Sequence, residues 1–418
     1  MNPAKLLNPR DPGAANPRAA RVAAALYAYC ALDELVLLYP LYALLFADSG
    51  LSVAQIASLF AIWSVTGLLL EVPSGVWADA VSRRLLLVLG PLLTAAGFAL
   101  WLLFPSYPAF ALGFVLWGAG GALQSGALEA LVYEELDRVG AADRYARVMG
   151  RARAAGIVAV AVATAAAIPV YAAGGFAWVG AASVAACLLC SLAAAALPEH
   201  RGGPAAPYGS GGDDGAEEER GYLATLRDGL REVRRDRSVR GAVLLSALVY
   251  GVWGALDEFV PLLAADTEVP TSMVPVLILV IWCGVTVGGL LAGAGERLTD
   301  RGLAALLAAG GAAMAAGAVS GSPLGILGVA AAFGAFQLAT VVADARLQAR
   351  ITGSSRATVT SLAGLGTELT TLAVYAGYGA ASAAAGHGML FAVFALAYPL
   401  MAVVLARGRR ARRAARTG

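Results

Sequence analysis

The sequence predicts an all-α membrane protein of about twelve transmembrane helices in two pseudo-symmetric six-helix bundles. Three observations carry that expectation. Of 418 residues, 59% are hydrophobic and only 14% charged, whereas a soluble chain carries about 25% charged residues. The charges are segregated into short segments between long apolar stretches. Finally, the two halves of the chain repeat one another.

The apolar stretches set the predicted spans at 21–46, 53–76, 85–105, 108–134, 150–171, 175–197, 241–265, 272–296, 302–320, 323–345, 357–382 and 386–407. Each is long enough for a hydrocarbon core that takes about 20 residues of helix. The first is not read as a cleaved leader, because Asp33 and Glu34 interrupt it where such a leader is apolar. Around the spans lie an N-terminal segment 1–20, bundles at 21–197 and 241–407, a linker 198–240 and a basic tail 408–418.

The basic residues test that division. They fall in seven clusters: Lys5/Arg10/Arg18/Arg21, Arg83/Arg84, Arg138 to Arg153, Arg201 to Arg240, Arg297/Arg301, Arg346/Arg350/Arg356 and Arg407 to Arg416. Every cluster lies on the side predicted to be cytoplasmic, and the loops on the other side hold none. By the positive-inside rule both termini are then cytoplasmic, in a multi-pass protein of the cell membrane. Lys5 is the one lysine among 30 basic residues, a bias that fits a GC-rich bacterial genome.

The linker opens with PEHRGGPAAPYGSGGDDGAEEE, rich in glycine, proline and acid, and reads as disordered. From Tyr222 to Arg240, Leu223, Leu226, Leu230 and Val233 recur at helical spacing among arginines. That pattern predicts an amphipathic helix on the inner leaflet, and the arginine-rich tail reads as a topological anchor that also meets anionic lipid.

The repeat is explicit. Ala31–Pro40 reads ALDELVLLYP and Ala255–Ala264 reads ALDEFVPLLA, with six of ten positions shared. GALQ at Gly121–Gln124 answers GAFQ at Gly334–Gln337, in the fourth span of each half. Parallel repeats of six helices are one architecture of secondary transporters.

Between the second and third spans stands Glu71-Val-Pro73-Ser-Gly75-Val-Trp-Ala-Asp79-Ala-Val-Ser-Arg83-Arg84. A glycine permits close helix approach, an aspartate ends the helix and an arginine pair comes next in a short turn. This segment resembles the signature loop of the major facilitator superfamily, G-x-x-A-D-x-x-S/G-R-R. A degenerate copy, Gly295-Glu-Arg-Leu-Thr-Asp300-Arg301, stands in the second half. The resemblance covers span count, repeat, central loop and motif position. It implies that Asp79 holds an inner gate, that the first, fourth, seventh and tenth helices line a central cavity, and that the chain works as a monomer. Carried onto this sequence, the lining places Asp33/Glu34, Gln124/Glu129, Asp257/Glu258 and Gln337/Asp344 near that cavity. The branch it looks closest to is bacterial drug efflux. Two features depart from that branch: the fourth span has no embedded arginine, and the fifth reads VAVAVATAAAIPV, with Pro169 where a glycine-proline signature is usual.

Acids within spans are the chemistry-bearing residues: Asp33, Glu34, Glu71, Glu129, Asp257, Glu258 and Glu368. A carboxylate at a helix centre costs about 2.5 to 3.5 kcal/mol on insertion scales, so it faces the bundle interior or a wet cavity. Asp33 and Glu34 lie about twelve residues past Arg21, roughly 18 Å at helical rise, and Glu368 lies as far past Arg356. No span is expected to supply a lysine or arginine to neutralise them. A buried carboxyl without a counter-charge binds protons more readily, which is what proton coupling requires. One proton moved through about 100 mV is worth about 2.3 kcal/mol, enough for a gradient of roughly fifty-fold. Without a fixed cation, the cavity suits a neutral or cationic amphipathic substrate better than an anion. Trp253, Phe259, Trp282, Phe333, Phe336, Tyr375 and Tyr378 are candidate aromatic walls, although most such residues in a membrane bundle are packing or interfacial belt.

The expected partners are therefore a small-molecule substrate, protons and membrane lipid, with no nucleic acid and no cofactor. Cys187 and Cys190 form a CxxC without further ligands nearby, whereas a structural zinc takes about four. The only histidines are His200 and His387, too few bases for a membrane-embedded enzyme. Efflux, uptake of a neutral nutrient, and a non-transporting sensor or scaffold on the same fold are the functions weighed.

Overall fold

The computed structural model describes residues 17–200, 233, 236–295, 297–351 and 356–405. Among these the structure is helical and contains no strand. The segment 1–16, most of the linker and the tail 408–418 lie outside the described residues. Of the amphipathic helix predicted from 222, Val233 is described, and it packs against the cluster that includes Val239, Ala242 and Val359.

Helix α1, Pro17–Asp33, and α2, Tyr42–Asp48, together occupy the first predicted span, separated by non-helical backbone at 34–41. They are followed by α3, Val53–Ala80, α4, Arg83–Leu103, α5, Tyr107–Gln124, and α6, Ala127–Arg138. Ser52 begins α3 with a capping box closed by Gln55, the arrangement that satisfies two orphan backbone donors at once. Helix α7, Tyr145–Ala195, holds the fifth and sixth predicted spans in one 51-residue stretch. Its continuity breaks at Gly174 and Gly175, the latter at φ 62°, a left-handed conformation that glycine adopts without a Cβ penalty.

The second half repeats this course. It comprises α8, Arg237–Asp257, α9, Val260–Ala265, α10, Val274–Leu290, α11, Asp300–Val319, α12, Ile326–Arg350, α13, Arg356–Ala381, and α14, His387–Ala395, continued by a helix at 397–405. Among the described residues nine stretches are long and apolar enough to cross a membrane. The difference from twelve predicted spans has three sources. The first span is broken after Asp33, the fifth and sixth are joined through α7, and threonine-rich α13 is less apolar than the rest.

The repeated ALDE sequence acquires a structural meaning. Helix α1 ends at Asp33 and α8 at Asp257, so the same four residues end the first half of each pseudo-equivalent span. A carboxylate at a helix C-terminus adds to the negative end of the helix rather than offsetting it.

Small residues bring helices together, the usual device where lipid supplies no hydrophobic drive. A Cβ on Gly288 of α10 would stand 2.0 Å from the Gly334 carbonyl oxygen of α12. Within the first half, α1 packs on α7, and α4 on α5 and α7; in the second, α8 packs on α12 and α13, and α11 on α12 and α14. The halves meet through α3 with α13 and α7 with α10.

Burial is unequal along the bundle. One core cluster joins both halves, with Phe60 of α3 against Phe259 and Tyr375 at centroid distances of 5.2 and 5.7 Å. At the arginine-bearing end there are instead two clusters. One contains Leu26, Leu87 and Leu136 of the first half, the other Val243, Leu347 and Val359 of the second.

Candidate functional site

The break after α1 gathers the first group of polar side chains. Asp33 and Glu34 are half-buried there. The Cys190 thiol, from the second part of α7, lies 3.5 Å from the Tyr29 carbonyl oxygen and 3.9 Å from Asp33 Oδ1. The amide of Gln124, the last residue of α5, faces the same carboxylate. Its facing atom is 3.2 and 3.3 Å from the two Asp33 oxygens and 2.7 Å from the Tyr29 hydroxyl. After Gln124 the backbone leaves the helix through Ser125 and Gly126, the latter at φ 75°. Three spans thus converge on Asp33, and its described hydrogen-bond partners are neutral.

Glu129 belongs to a different setting. It stands on the first turn of α6 with the Arg153 guanidinium 4.0 Å away, both side chains well exposed. Since Arg153 lies within the predicted fifth span, the expectation that no span supplies a cation fails at this position. Asp33 and Glu34 have no described arginine partner.

In the second half, Asp257, Glu258 and Glu368 cluster about Tyr375, with Tyr250 beside Asp257 and Glu368. The Ser64 hydroxyl of α3 donates to Glu368 Oε2 of α13 at 2.7 Å, a polar bond across the two halves. Gln337 sits mid-helix in unbroken α12, so the GALQ/GAFQ repeat does not reproduce a helix break. Asp344 is exposed near the arginine-bearing end of α12 and accepts a hydrogen bond from Ser246 of α8.

Of the candidate aromatic walls, all but Trp282 take the other role open to such residues, packing. Phe259, Phe333, Phe336 and Tyr378 are fully buried and Tyr375 and Trp253 nearly so, while Trp282 is exposed. They fill the second half rather than line an opening. Half-buried rings stand instead in the first half: Trp117 stacks on Tyr39 at 5.5 Å and on Trp63 at 5.0 Å.

At the signature loop, Glu71 is exposed and its carbonyl accepts from the Ser74 hydroxyl at 2.8 Å. The side chains of Pro73, Gly75 and Asp79 lie outside the described residues, although their backbone belongs to α3. The start of α4, by contrast, is well tied. Ser82 caps this helix by accepting from the Leu85 N–H at 3.0 Å. Glu199 accepts from the Ser82 hydroxyl and from the backbone N–H groups of Arg83, at 2.8 Å, and Arg84, at 3.4 Å. A carboxylate at a helix N-terminus satisfies orphan donors and offsets the dipole. The Arg83 side chain pairs with Glu134 of α6. His200 in turn donates its N–H to Glu135 at 2.8 Å. The linker predicted from 198 therefore begins with residues docked on the first bundle. Its prolines and glycines suggested disorder, and the one sequence signal to the contrary was the acid immediately following the sixth span.

The pseudo-equivalent place in the second half carries a pair of reversed sign. Thr299 caps α11, and Arg346 of α12 pairs with Asp300 at 3.0 Å.

The family model of the Major Facilitator Superfamily matches residues 24–367. No curated protein matches the sequence at a significant level. Among solved structures, the fold is similar to that of a POT family transporter, PepTSo, with a TM-score of 0.66 at 14% identity, covering 94% of this chain and 98% of that one. It is similar also to the nucleoside transporter NupG, with a TM-score of 0.67 at 12% identity, covering 93% and 98%. A bacterial homolog of the human lysosomal transporter Spinster, inward-facing and unoccupied, gives 0.63 at 16% identity, covering 94% of each. At these identities the likeness is one of fold.

Proposed function

The chain belongs to the major facilitator superfamily, and from that premise we propose that it is a proton-coupled secondary transporter exporting a small neutral or cationic amphipathic molecule. It crosses the membrane twelve times with its arginine-bearing end in the cytoplasm, and its two halves rock about a central site. The single observation that carries the coupling is the Asp33 site: a carboxylate at a break in the first span, beside Glu34, held by the neutral side chains of Gln124 and Cys190. A group so placed can carry a proton from one side to the other because nothing fixes its charge.

The core clusters support a direction of opening. The shared core draws its first-half residues from the part of that bundle away from the arginines, and each half keeps a further cluster of its own at the arginine-bearing end. The conformation is accordingly inward-open in the proposed topology.

The test uses proteoliposomes loaded with ethidium, a planar amphipathic cation, and given a pH step across the membrane. Dye efflux that tracks the step, and that Asp33→Asn uncouples from pH while Glu129→Gln does not, is the expected result. Efflux indifferent to the imposed gradient would reject proton coupling. Uptake of a neutral nutrient is the competing reading, and the absence of an arginine from the fourth span favours it. Growth of a deletion strain on single carbon or nitrogen sources, set against its sensitivity to toxic cations, separates the two.

A further inference from the structure

We propose that the Gln124 amide reports the protonation state of Asp33 by reversing end for end, with the Tyr29 hydroxyl completing both states. The inference rests on the reading of Asp33 as a proton-accepting group.

Its basis is one atomic position. The amide atom that faces Asp33 touches two partners at once: both carboxyl oxygens, at 3.2 and 3.3 Å, and the Tyr29 hydroxyl at 2.7 Å. A primary amide offers two donors at nitrogen and two lone pairs at oxygen. With nitrogen in that position, it donates one hydrogen to ionised Asp33 and the other to the Tyr29 oxygen. With oxygen there, it accepts from the Tyr29 O–H and from the O–H of protonated Asp33. An ionised carboxylate only accepts, whereas a protonated one also donates. Oxygen facing the ionised acid sets acceptor against acceptor, and nitrogen facing the acid O–H sets donor against donor. The ionised acid thus admits only the nitrogen orientation, whereas the protonated acid gains an O–H···O bond when the oxygen faces it, and the tyrosine hydroxyl, donor and acceptor both, fits either.

The surroundings are built for such a reversal. A Cβ on Gly90 of α4 would stand 2.8 Å from both Cγ and the amide nitrogen of Gln124, so this glycine reserves the space in which the amide sits. Gln124 is also the final residue of α5, at the break before Gly126, so a change in its partners acts at a discontinuity of the fourth span.

Other titratable groups face Asp33. Tyr29, Cys30 and Glu34 share its segment, Tyr39 lies in the loop after it, and Cys187 and Cys190 approach from α7. From α6, Glu129 acts on Cys30 and is itself near Arg153. Of these neighbours, Gln124 and Cys190 hydrogen-bond the Asp33 carboxyl, and the amide is the stronger donor and acceptor of the two.

The test is a pH-difference infrared spectrum of the full chain in lipid nanodiscs, with protons as the only ligand added. The expected result is a carboxylic-acid carbonyl band that Asp33→Asn removes, accompanied at the same midpoint by a side-chain amide band. That amide band should shift on isotopic labelling of glutamine in the unmutated protein and vanish in Gln124→Met. The unmutated, labelled protein gives the essential comparison, so poor folding of a variant leaves the experiment decisive. An Asp33 band with no accompanying glutamine band overturns the amide reversal and leaves proton coupling standing. Absence of any Asp33 band removes proton coupling and the reversal together.

Discussion

The bond between Ser64 and Glu368 sets the balance between conformations, and Ser64→Ala should disturb it measurably. Ser64 lies on α3 and Glu368 on α13, the helices through which the two halves touch, and their oxygens are 2.7 Å apart. A hydrogen bond to a charged group contributes about 1.5 to 3 kcal/mol. Both residues are half-buried, so partial solvation places this one near the lower end, about 1 to 1.5 kcal/mol. At 1.36 kcal/mol per decade, its removal shifts the ratio of shared-core to separated states by roughly five- to tenfold. If the separated state begins near about 1%, it rises to roughly 5 to 10%, within the range that ligands and mutations ordinarily redistribute. Spin labels on Ser106 and Ser320, exposed positions near the arginine-free end of each half, should show a longer-distance population that grows in Ser64→Ala. Glu368→Gln keeps an acceptor and should move the distribution less. Identical distributions in the parent and both variants would show that this contact forms equally in all states, and the argument from a shared core would lose its main polar support.

Two further outcomes concern the arginine-bearing end and the helix crossings. Glu199→Ala removes a carboxylate from the N-terminus of α4 and should cost about 1 to 3 kcal/mol, seen as a lower midpoint of thermal unfolding in detergent, whereas Arg153→Ala, breaking an exposed 4.0 Å pair, should change that midpoint little because such pairs are worth about 0 to 1 kcal/mol. Gly288→Ala forces a methyl against the Gly334 carbonyl and should lose about 1 to 3 kcal/mol through overpacking, read as a smaller monodisperse fraction in size-exclusion chromatography.

Hydropathy made the all-helical, multi-pass character legible because it reports on the lipid, the strongest constraint on such a chain. The ALDE repeat marks a matching site in each half, and the prolines that come after it, Pro40 and Pro261, cannot donate to a continuing helix; in the first half the Leu38 N–H bonds Ser183 at 3.0 Å instead, a contact no local pattern shows. Gln124 is recognisable from GALQ/GAFQ, whereas its partner Tyr29 is hidden, since a tyrosine in an apolar run carries no pattern, and Cys190, which bonds Asp33, is legible only as half of a CxxC. The aromatic side chains of the second half looked available because composition cannot distinguish a wall from a filling. Phe336 against Tyr398, with ring centroids 3.6 Å apart, is filling.

The struts at the arginine-bearing end show why a repeat can persist in geometry while fading from the sequence. In the first half the start of α4 supplies the cation, Arg83, and α6 the acid, Glu134; in the second the start of α11 supplies the acid, Asp300, and α12 the cation, Arg346. Opposite charges attract equally in either order, so a strut survives exchange of its ends while aligned positions change sign. The exchange matters for Glu199 as well. An arginine pair entering α4 places positive charge at the positive end of a helix dipole, which an acid must offset. Asp300 already stands in the first turn of α11 and supplies that acid from within the helix. The first half therefore needs a carboxylate from elsewhere, and Glu199 provides it from the residues just beyond the sixth span.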